Sequence, residues 1–358
     1  MERLRNPYSG LGQYCLQLGH AFAARQSAQD LGFVCLLPQE RMGEFGHNLG
    51  YKAVKPWHKI LGPSLGESVW HCLHQDSEYM PRSRKTPLAI TFHDLNFLER
   101  PDYSATKKSR ILAGLQRKIN RAKGLVYISE YVKQSVHRNL NVSAMIMERV
   151  IYNGGSSTKI QATSKNSPAF GKPSMRNTSK IQSPFFFSIG IHPKKNYHVL
   201  MPILKEFTAY KWFIAGPDSR GYKARIEQEA LKYGVADRIE FCGPVDEEAK
   251  WGYYANCTAL LFPSLAEGFG LPVVEAMSLG KPVFLSDRTS LPEIGGTEAY
   301  YFKDFEPQTI TTTFKESMTN FENDLEKPKR LKAWASQFTW EKAATQYLEF
   351  YQELLNNQ

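Results

Sequence analysis

Residues 259–287, ALLFPSLAEGFGLPVVEAMSLGKPVFLSD, decide the fold. Ala259–Phe262 is a short apolar run without polar alternation, the pattern of a strand buried on both faces of a parallel sheet. A loop follows with Glu267 and then Gly268-Phe269-Gly270, and helical spacing begins at Leu271. A second apolar run, Val283–Ser286, comes next. Strand, loop, helix and strand form one repeat of a doubly wound α/β domain, where ligands sit at the carboxyl ends of strands. Gly268 and Gly270 let backbone amides approach a ligand closely, and a helix N-terminus favours phosphate. Glu267, before those amides, is badly placed for phosphate and well placed to accept sugar hydroxyls. Glu275, eight positions later and inside the helix, is placed to accept both hydroxyls of a ribose, as acids do at dinucleotide sites.

Working outward, further candidate strands are Leu88–Phe92, Leu125–Ile128, Val150–Tyr152, Phe185–Ile189, Trp212–Ala215, Ile239–Cys242 and Tyr300–Lys303, with helical spacings between them. This alternation predicts parallel sheets covered on both faces. A chain of 358 residues exceeds what one core usually organises, so two such domains are expected. Gly154 to Ser183 is rich in Ser, Thr and Lys, holds no acid and few large apolar residues, and reads as a linker. Trp340, Ala343, Ala344, Tyr347, Leu348, Tyr351, Leu354 and Leu355 form a helical stripe with Thr339 placed as its cap. Only MERLRN precedes the turn PYSGLGQ; either the first strand is very short or the true chain begins upstream of Met1.

Hydrophobic residues at 42% and charged residues at 22% exclude a wholly disordered or fibrous chain. No apolar run is long enough to span a bilayer, and the N-terminus has no apolar signal region. Five scattered cysteines without a C-x-x-C pair argue against a disulfide framework and a zinc cage, so a cytoplasmic protein is expected. Up to Ser183 there are 26 basic against 12 acidic residues, a surplus of +14; the remainder has 19 against 23, or −4. An anionic partner is therefore expected at the N-terminal half. The sharpest basic feature is TKKSRILAGLQRKINRAKG. Ile111, Leu112, Leu115, Ile119 and Ala122 share one helical arc, with Lys107, Arg110, Arg117, Lys118 and Arg121 on a flanking arc opposite. Such a face suits solvent or an anionic membrane surface. It contains no aromatic residue for base stacking, which counts against nucleic acid.

The segment Glu267 to Glu275 resembles the E-x7-E signature of retaining GT-B glycosyltransferases, especially glycosyltransferase family 4. Pro263-Ser264, Ala276-Met277, Gly280-Lys281-Pro282-Val283 and Leu291-Pro292-Glu293 match around it. Further upstream, IAGP near Gly216, FCGPV ending at Val245, SIGIHPKKN from Ser188, Asn153-Gly154, Ser129-Glu130, His93-Asp94 and SGLG at Ser9 to Gly12 follow in family order. The resemblance implies two Rossmann-like domains facing across a cleft: an acceptor-binding domain at 1–170, a polar linker at 171–183, a nucleotide-sugar domain at 184–338, and a C-terminal helix at 339–358 packing back toward the N-terminal domain.

By the same resemblance, Glu267 holds donor-sugar hydroxyls, and Gly268, Phe269, Gly270 and Leu271 surround the sugar and phosphates. Glu275 takes the ribose, Val245 lies by the base, and Lys195 neutralises the departing diphosphate. His93 is expected near the donor sugar and Asp94 near the reacting centre. Gly12 and Gly190 belong to the donor loops, and Gly10 leaves room for acceptor. Many relatives carry Arg after the glycine matching Gly190. Ile191 stands here, leaving His192 or Lys194 as substitute. No Asp-x-Asp occurs, so catalysis without metal or cofactor is the expectation.

The implied reaction is retaining transfer of a hexosyl group from a nucleotide sugar, GDP-mannose ahead of UDP-hexoses, to a lipid-linked or polysaccharide acceptor. Its place is the inner face of the membrane, as in bacterial mannosyltransferases of surface-polysaccharide (lipopolysaccharide) synthesis. The rivals are another GT-B enzyme such as a nucleotide-sugar epimerase or a sugar phosphorylase, a non-catalytic relative, and a basic nucleic-acid- or membrane-binding protein.

Overall fold

The computed structural model describes residues 1–7, 9–63, 66, 68–155 and 183–356. The chain forms two compact units, Met1–Gly154 with Phe338–Gln358, and Gly155–Gln337. Both are α/β with parallel sheets, the GT-B pattern of two Rossmann-like domains. The expected linker at 171–183 lies, except for Ser183, outside the described residues.

In the first unit, β1 (Val34–Leu37) pairs with β2 (Gly50–Ala53). A separate four-stranded sheet runs β3 (Trp70–Cys72), β4 (Leu88–Phe92), β5 (Gly124–Tyr127) and β6 (Met147–Val150), in that order and all parallel. The last of these lies upstream of the expected Val150–Tyr152: its residues Glu148 and Arg149 are polar, which hid it. Among the described residues, no strand precedes the helix Gly10–Ala23. Glu2–Arg5 forms a 3₁₀ turn, and Val34 begins the first strand.

The helix Trp340–Asn356 belongs to this first unit. Thr339 caps it, its Oγ1 accepting from the Lys342 amide at 3.1 Å. Its buried face holds Trp340, Ala343, Ala344, Tyr347, Leu348, Phe350, Tyr351 and Leu354. The Tyr347 hydroxyl lies 2.6 Å from that of Tyr14 and 3.2 Å from Thr91 Oγ1, and the Tyr351 hydroxyl lies 2.5 Å from His71 Nδ1. Gly124 and Gly154 have no side chain because none fits: a Cβ would come within 2.5 Å of the Phe350 ring or 2.1 Å of the Trp340 amide.

The second unit has one six-stranded parallel sheet. Its strands are β7 (Phe185–Ile191), β8 (Lys211–Asp218), β9 (Ile239–Gly243), β10 (Ala259–Phe262), β11 (Val283–Ser286) and β12 (Tyr300–Phe302), ordered β12-β11-β10-β7-β8-β9. Alternate residues of β7 face opposite layers. Phe186 meets Tyr210 and Phe314 on one side, while Phe185 and Phe187 pack on Tyr253 on the other. Each such fully buried ring contributes about 1.5–3 kcal/mol. The order reverses between β7 and β10, and ligands bind outside the carboxyl ends of strands at such a switch point. Among the described residues, no helix is long and apolar enough to cross a membrane.

Candidate active site

Two loops leave the sheet at that reversal. The loop after β7 is a single 3₁₀ turn, Pro193–Lys195, capped by His192, whose Nδ1 accepts from the Lys194 amide at 3.2 Å. The loop after β10 carries Glu267 and ends at Gly270, whose φ of +112° is open to glycine and starts the helix Leu271–Ser278 where the sequence placed it.

Lys195 Nζ donates to Glu267 Oε1 at 2.8 Å, and Lys194 Nζ lies 3.5 Å from Oε2. Ser264 Oγ donates to Oε1 at 2.6 Å, the Glu267 amide donates to Thr289 Oγ1 at 3.0 Å, and Ser290 Oγ donates to the Glu267 carbonyl at 3.1 Å. Three groups thus hold the carboxylate and two hydroxyls hold its backbone, with only 12% of the Glu267 side chain exposed against 11% for Lys195. Gly190 makes room for this lysine: its φ is +86°, and a Cβ there would meet Lys195 Cε at 3.2 Å.

Burial pushes the Glu267 carboxyl up, but Lys194, Lys195 and Ser264 outweigh it and hold the pKa at about 2. Burial, helped by Lys194, lowers Lys195 to about 8 in spite of Glu267. The pair is ionised at neutral pH, and two cations face one anion. Of the two substitutes for the missing arginine, Lys194 reaches the carboxylate. His192 is a cap, its pKa lowered to about 4 by burial and by Lys194, Arg220 and Lys195. Ile191 turns into the apolar core, which leaves no place for a charge.

Glu275 is deeper. Its Oε1 accepts from Lys250 Nζ and its Oε2 from the Tyr254 hydroxyl, each at 2.9 Å. Lys250 also meets Glu247 at 2.9 Å. Burial lowers the Lys250 pKa, and the two carboxylates more than offset it, so the net direction is upward. Here one cation faces two anions. Both Glu275 oxygens accept protein donors, so ribose hydroxyls would use their remaining lone pairs. Val245, half-buried, lies between β9 and the helix Glu247–Asn256, which Asp246 caps.

Sequence reasoning missed Lys250, Tyr254, Thr289 and Ser290. The available signal for Lys250 was a lone cation inside the aromatic run AKWGYY, since a lysine among buried rings needs a carboxylate partner. Phe269 is buried, and its carbonyl accepts from Ser290 Oγ at 2.9 Å.

His93 and Asp94 follow β4 in the first unit. His93 is buried, its Nε2 lies 2.8 Å from the Leu73 carbonyl, and its amide donates to Gln75 Oε1 at 3.0 Å. Burial lowers its pKa to about 3, so the ring is neutral and Nε2 is the donor. Asp94 Oδ1 accepts from the Asn96 amide at 2.9 Å. Gly10 opens the helix Gly10–Ala23 with clear space around it. The space beside Gly12 is filled by the chain itself, where a Cβ would lie 2.0 Å from the Asn6 carbonyl oxygen. Gly12 therefore accommodates the close approach of the Asn6–Pro7 backbone.

The basic arc also needs correction. Lys107, Arg110 and Arg117 on the helix Ala105–Ile119 are exposed. Lys118 and Arg121 point inward: Lys118 Nζ donates to the Gln75 and Ser77 carbonyls at 2.7 and 2.8 Å, and Arg121 Nη2 to those of Pro81 and Ser83 at 3.1 and 2.9 Å. They anchor the segment 75–83 instead of forming an outer face. Among the described residues, no three His, Cys, Asp or Glu side chains gather as a metal-holding set.

A Rossmann-ordered sheet with a cation-rich carboxylate seat at its switch point, joined to a second α/β unit, defines a GT-B protein, and this chain is a glycosyltransferase. Residues 173–338 match the family "Glycosyl transferases group 1" and form a domain of that type. The chain is 25% identical over 383 residues to O-antigen chain mannosyltransferase B of Escherichia coli, covering 99% of this chain and 98% of that one. Its fold is similar to sucrose-phosphate synthase from Thermosynechococcus elongatus, with a TM-score of 0.71 at 18% identity, covering 98% and 94% of the two chains. It is also similar to Anabaena HepE in complex with UDP and glucose, with a TM-score of 0.68 at 18% identity, covering 97% and 96%.

Proposed function

We propose that the chain transfers a mannosyl group from GDP-mannose to a growing lipid-linked saccharide, with retention at the anomeric carbon and without a metal ion, at the inner face of the membrane. The observation that carries the reading is the charge count at the switch point. Two lysines around one carboxylate leave a positive surplus, which suits a diphosphate whose charge grows as it departs. One lysine between two carboxylates leaves a negative surplus at Glu275, which suits hydroxyl donors of a ribose. Glu267 holds sugar hydroxyls between the two. The similarity to a mannosyltransferase along the whole chain supports the mannosyl choice and the saccharide acceptor.

Same-face displacement fits these residues. The bond from C1 to the β-phosphate oxygen breaks, the acceptor oxygen bonds C1 on the vacated face, and the acceptor's proton passes to the departing phosphate oxygen. Lys195 and Lys194 stabilise that phosphate. Glu267 is held by Lys195 and Ser264 on the hydroxyl side and is not used as a nucleophile.

The test is a donor panel of GDP-mannose, UDP-glucose and UDP-galactose with a lipid-linked saccharide acceptor, read by product mass and anomeric coupling. Transfer of mannose in the α configuration, unchanged by EDTA, is expected. An inverted product, a covalent glycosyl-Glu267, or transfer undiminished in Glu267→Gln overturns the mechanism, and preference for a UDP sugar overturns the donor.

A further inference from the structure

The first unit contains a cavity of about 360 Å³ that the sequence motifs do not touch. It is lined by Lys52, Lys55 and Arg82, with Trp57, His58 and Pro63 among its walls. Lys52 lies within β2, Lys55 follows that strand, and Arg82 comes from the segment 75–83. The assembly is built, not incidental. The turn at Gly62, with φ +65°, approaches so closely that a Cβ would lie 2.6 Å from the Met80 carbonyl oxygen and 2.9 Å from the Arg82 amide. Arg121 clamps the carbonyls on either side of Arg82.

Among the described residues, three cations line this cavity and no carboxylate does. Among the described residues, neither Lys52, Lys55 nor Arg82 has an ion-pair partner, whereas neighbouring Lys59 is neutralised by Glu78. Uncompensated like charges around one hollow repel one another, so an anion there is stabilising. Next to the hollow, the chain exposes large apolar side chains: Trp57 at 50%, Ile60 at 85% and Leu61 at 61%. Apolar side chains in such a cluster mark an interaction surface, and a tryptophan beside lysines is the composition of a bilayer interface.

We propose that this cavity binds the phosphate of a bilayer lipid, with Trp57, Ile60 and Leu61 entering the acyl boundary beside it. The site lies outside the donor seat, and its test is independent of what the enzyme transfers. It also moves the membrane contact from the helix Ala105–Ile119 to the segment 52–61, with Arg121, just past that helix, as the clamp behind Arg82.

The experiment measures binding of the full chain to phosphatidylglycerol vesicles, to phosphatidylcholine vesicles and to inorganic phosphate. Three triple variants are compared: Lys52→Gln with Lys55→Gln and Arg82→Gln; Trp57→Ala with Ile60→Ser and Leu61→Ser; and Lys107→Gln with Arg110→Gln and Arg117→Gln. All nine side chains are exposed, and an unchanged melting temperature verifies each fold. Each cation near an anionic surface contributes roughly five-fold, so the first variant is expected to lose on the order of 100-fold in binding to the anionic vesicles. The apolar variant loses at least about ten-fold on vesicles while its binding of inorganic phosphate is unchanged. The helix variant stays within about five-fold of the unaltered chain. Wild-type vesicle binding by the first variant overturns the proposal, as does a greater loss in the helix variant. Binding of inorganic phosphate without any binding of vesicles overturns the lipid as the source.

Discussion

Two glutamate–lysine pairs, eight residues apart along one loop and helix, differ in their surroundings and therefore in what they can hold. Glu267 sits among Lys195, Lys194 and a serine hydroxyl, and the local sum is positive. Glu275 shares Lys250 with Glu247, and the local sum is negative. The consequence appears in the lysines: Lys195 is pulled down to about 8, whereas Lys250 is pushed up. The same pair of residue types thus provides a seat short of negative charge in one place and a seat short of hydrogen-bond donors in the other. A buried ion pair alone says little about function, and the third charge decides its use.

The comparison breaks first at Lys195. Lys195→Met is expected to reduce kcat by about 10²–10³-fold with a small change in donor KM, because the cation acts on charge that develops in the transition state. Single-turnover rates check this, and a kcat within ten-fold of wild type would refute the role.

At the second pair the larger loss is in stability. Lys250→Met leaves Glu275 and Glu247 without their shared cation and costs about 3 kcal/mol, a fall in Tm of roughly 6–12 °C for a unit of this size. Adding Glu275→Gln restores part of the Tm but not donor affinity. Recovery of both would mean that Glu275 does not touch the donor.

pH sharpens the contrast. Lys195 in the free enzyme loses its proton as pH rises through about 8, so kcat/KM has an alkaline limb there, and Lys195→Arg moves it upward. Stability runs the other way: between about 8 and 10.5 the folded state binds fewer protons than the unfolded chain at this residue, so its unfavourable contribution fades as pH rises. Glu267 is lowered from 4.5 to about 2, so its stabilisation is complete above 4.5 and lost as pH falls toward 2. A pH–rate profile and a pH series of unfolding curves read these two effects separately. The smallest effect is expected from Lys194→Gln, roughly ten-fold in kcat, since its ammonium is farther from the carboxylate and one-third exposed.

The second unit was readable because its strands are apolar runs: Ala259–Phe262 and Val283–Ser286 are found at their predicted ends, and Phe185 and Ile239 begin theirs. In the first unit β1 to β3 escaped. VCLL, GYKA and WHC are only three or four residues long, and GYKA is too exposed and polar to stand out. Lys195 and Glu267 were legible because each sits in a motif directly after a strand. Lys250 was not, because its partner is 25 residues away and only folding brings them together. Gly12 shows the converse limit: a missing side chain announces a close approach without saying whether ligand or backbone makes it.

The helix Trp340–Asn356 completes a core whose other members are within the first 154 residues. On a translating ribosome, those residues emerge early and wait, with Phe22, Gly124 and the Tyr14 hydroxyl uncovered, until residues 340–356 arrive. The intervening Rossmann unit holds all six of its strands before then and is free to fold first. A nascent chain stalled near residue 338 would then carry a completed second unit beside an unfinished, aggregation-prone first one.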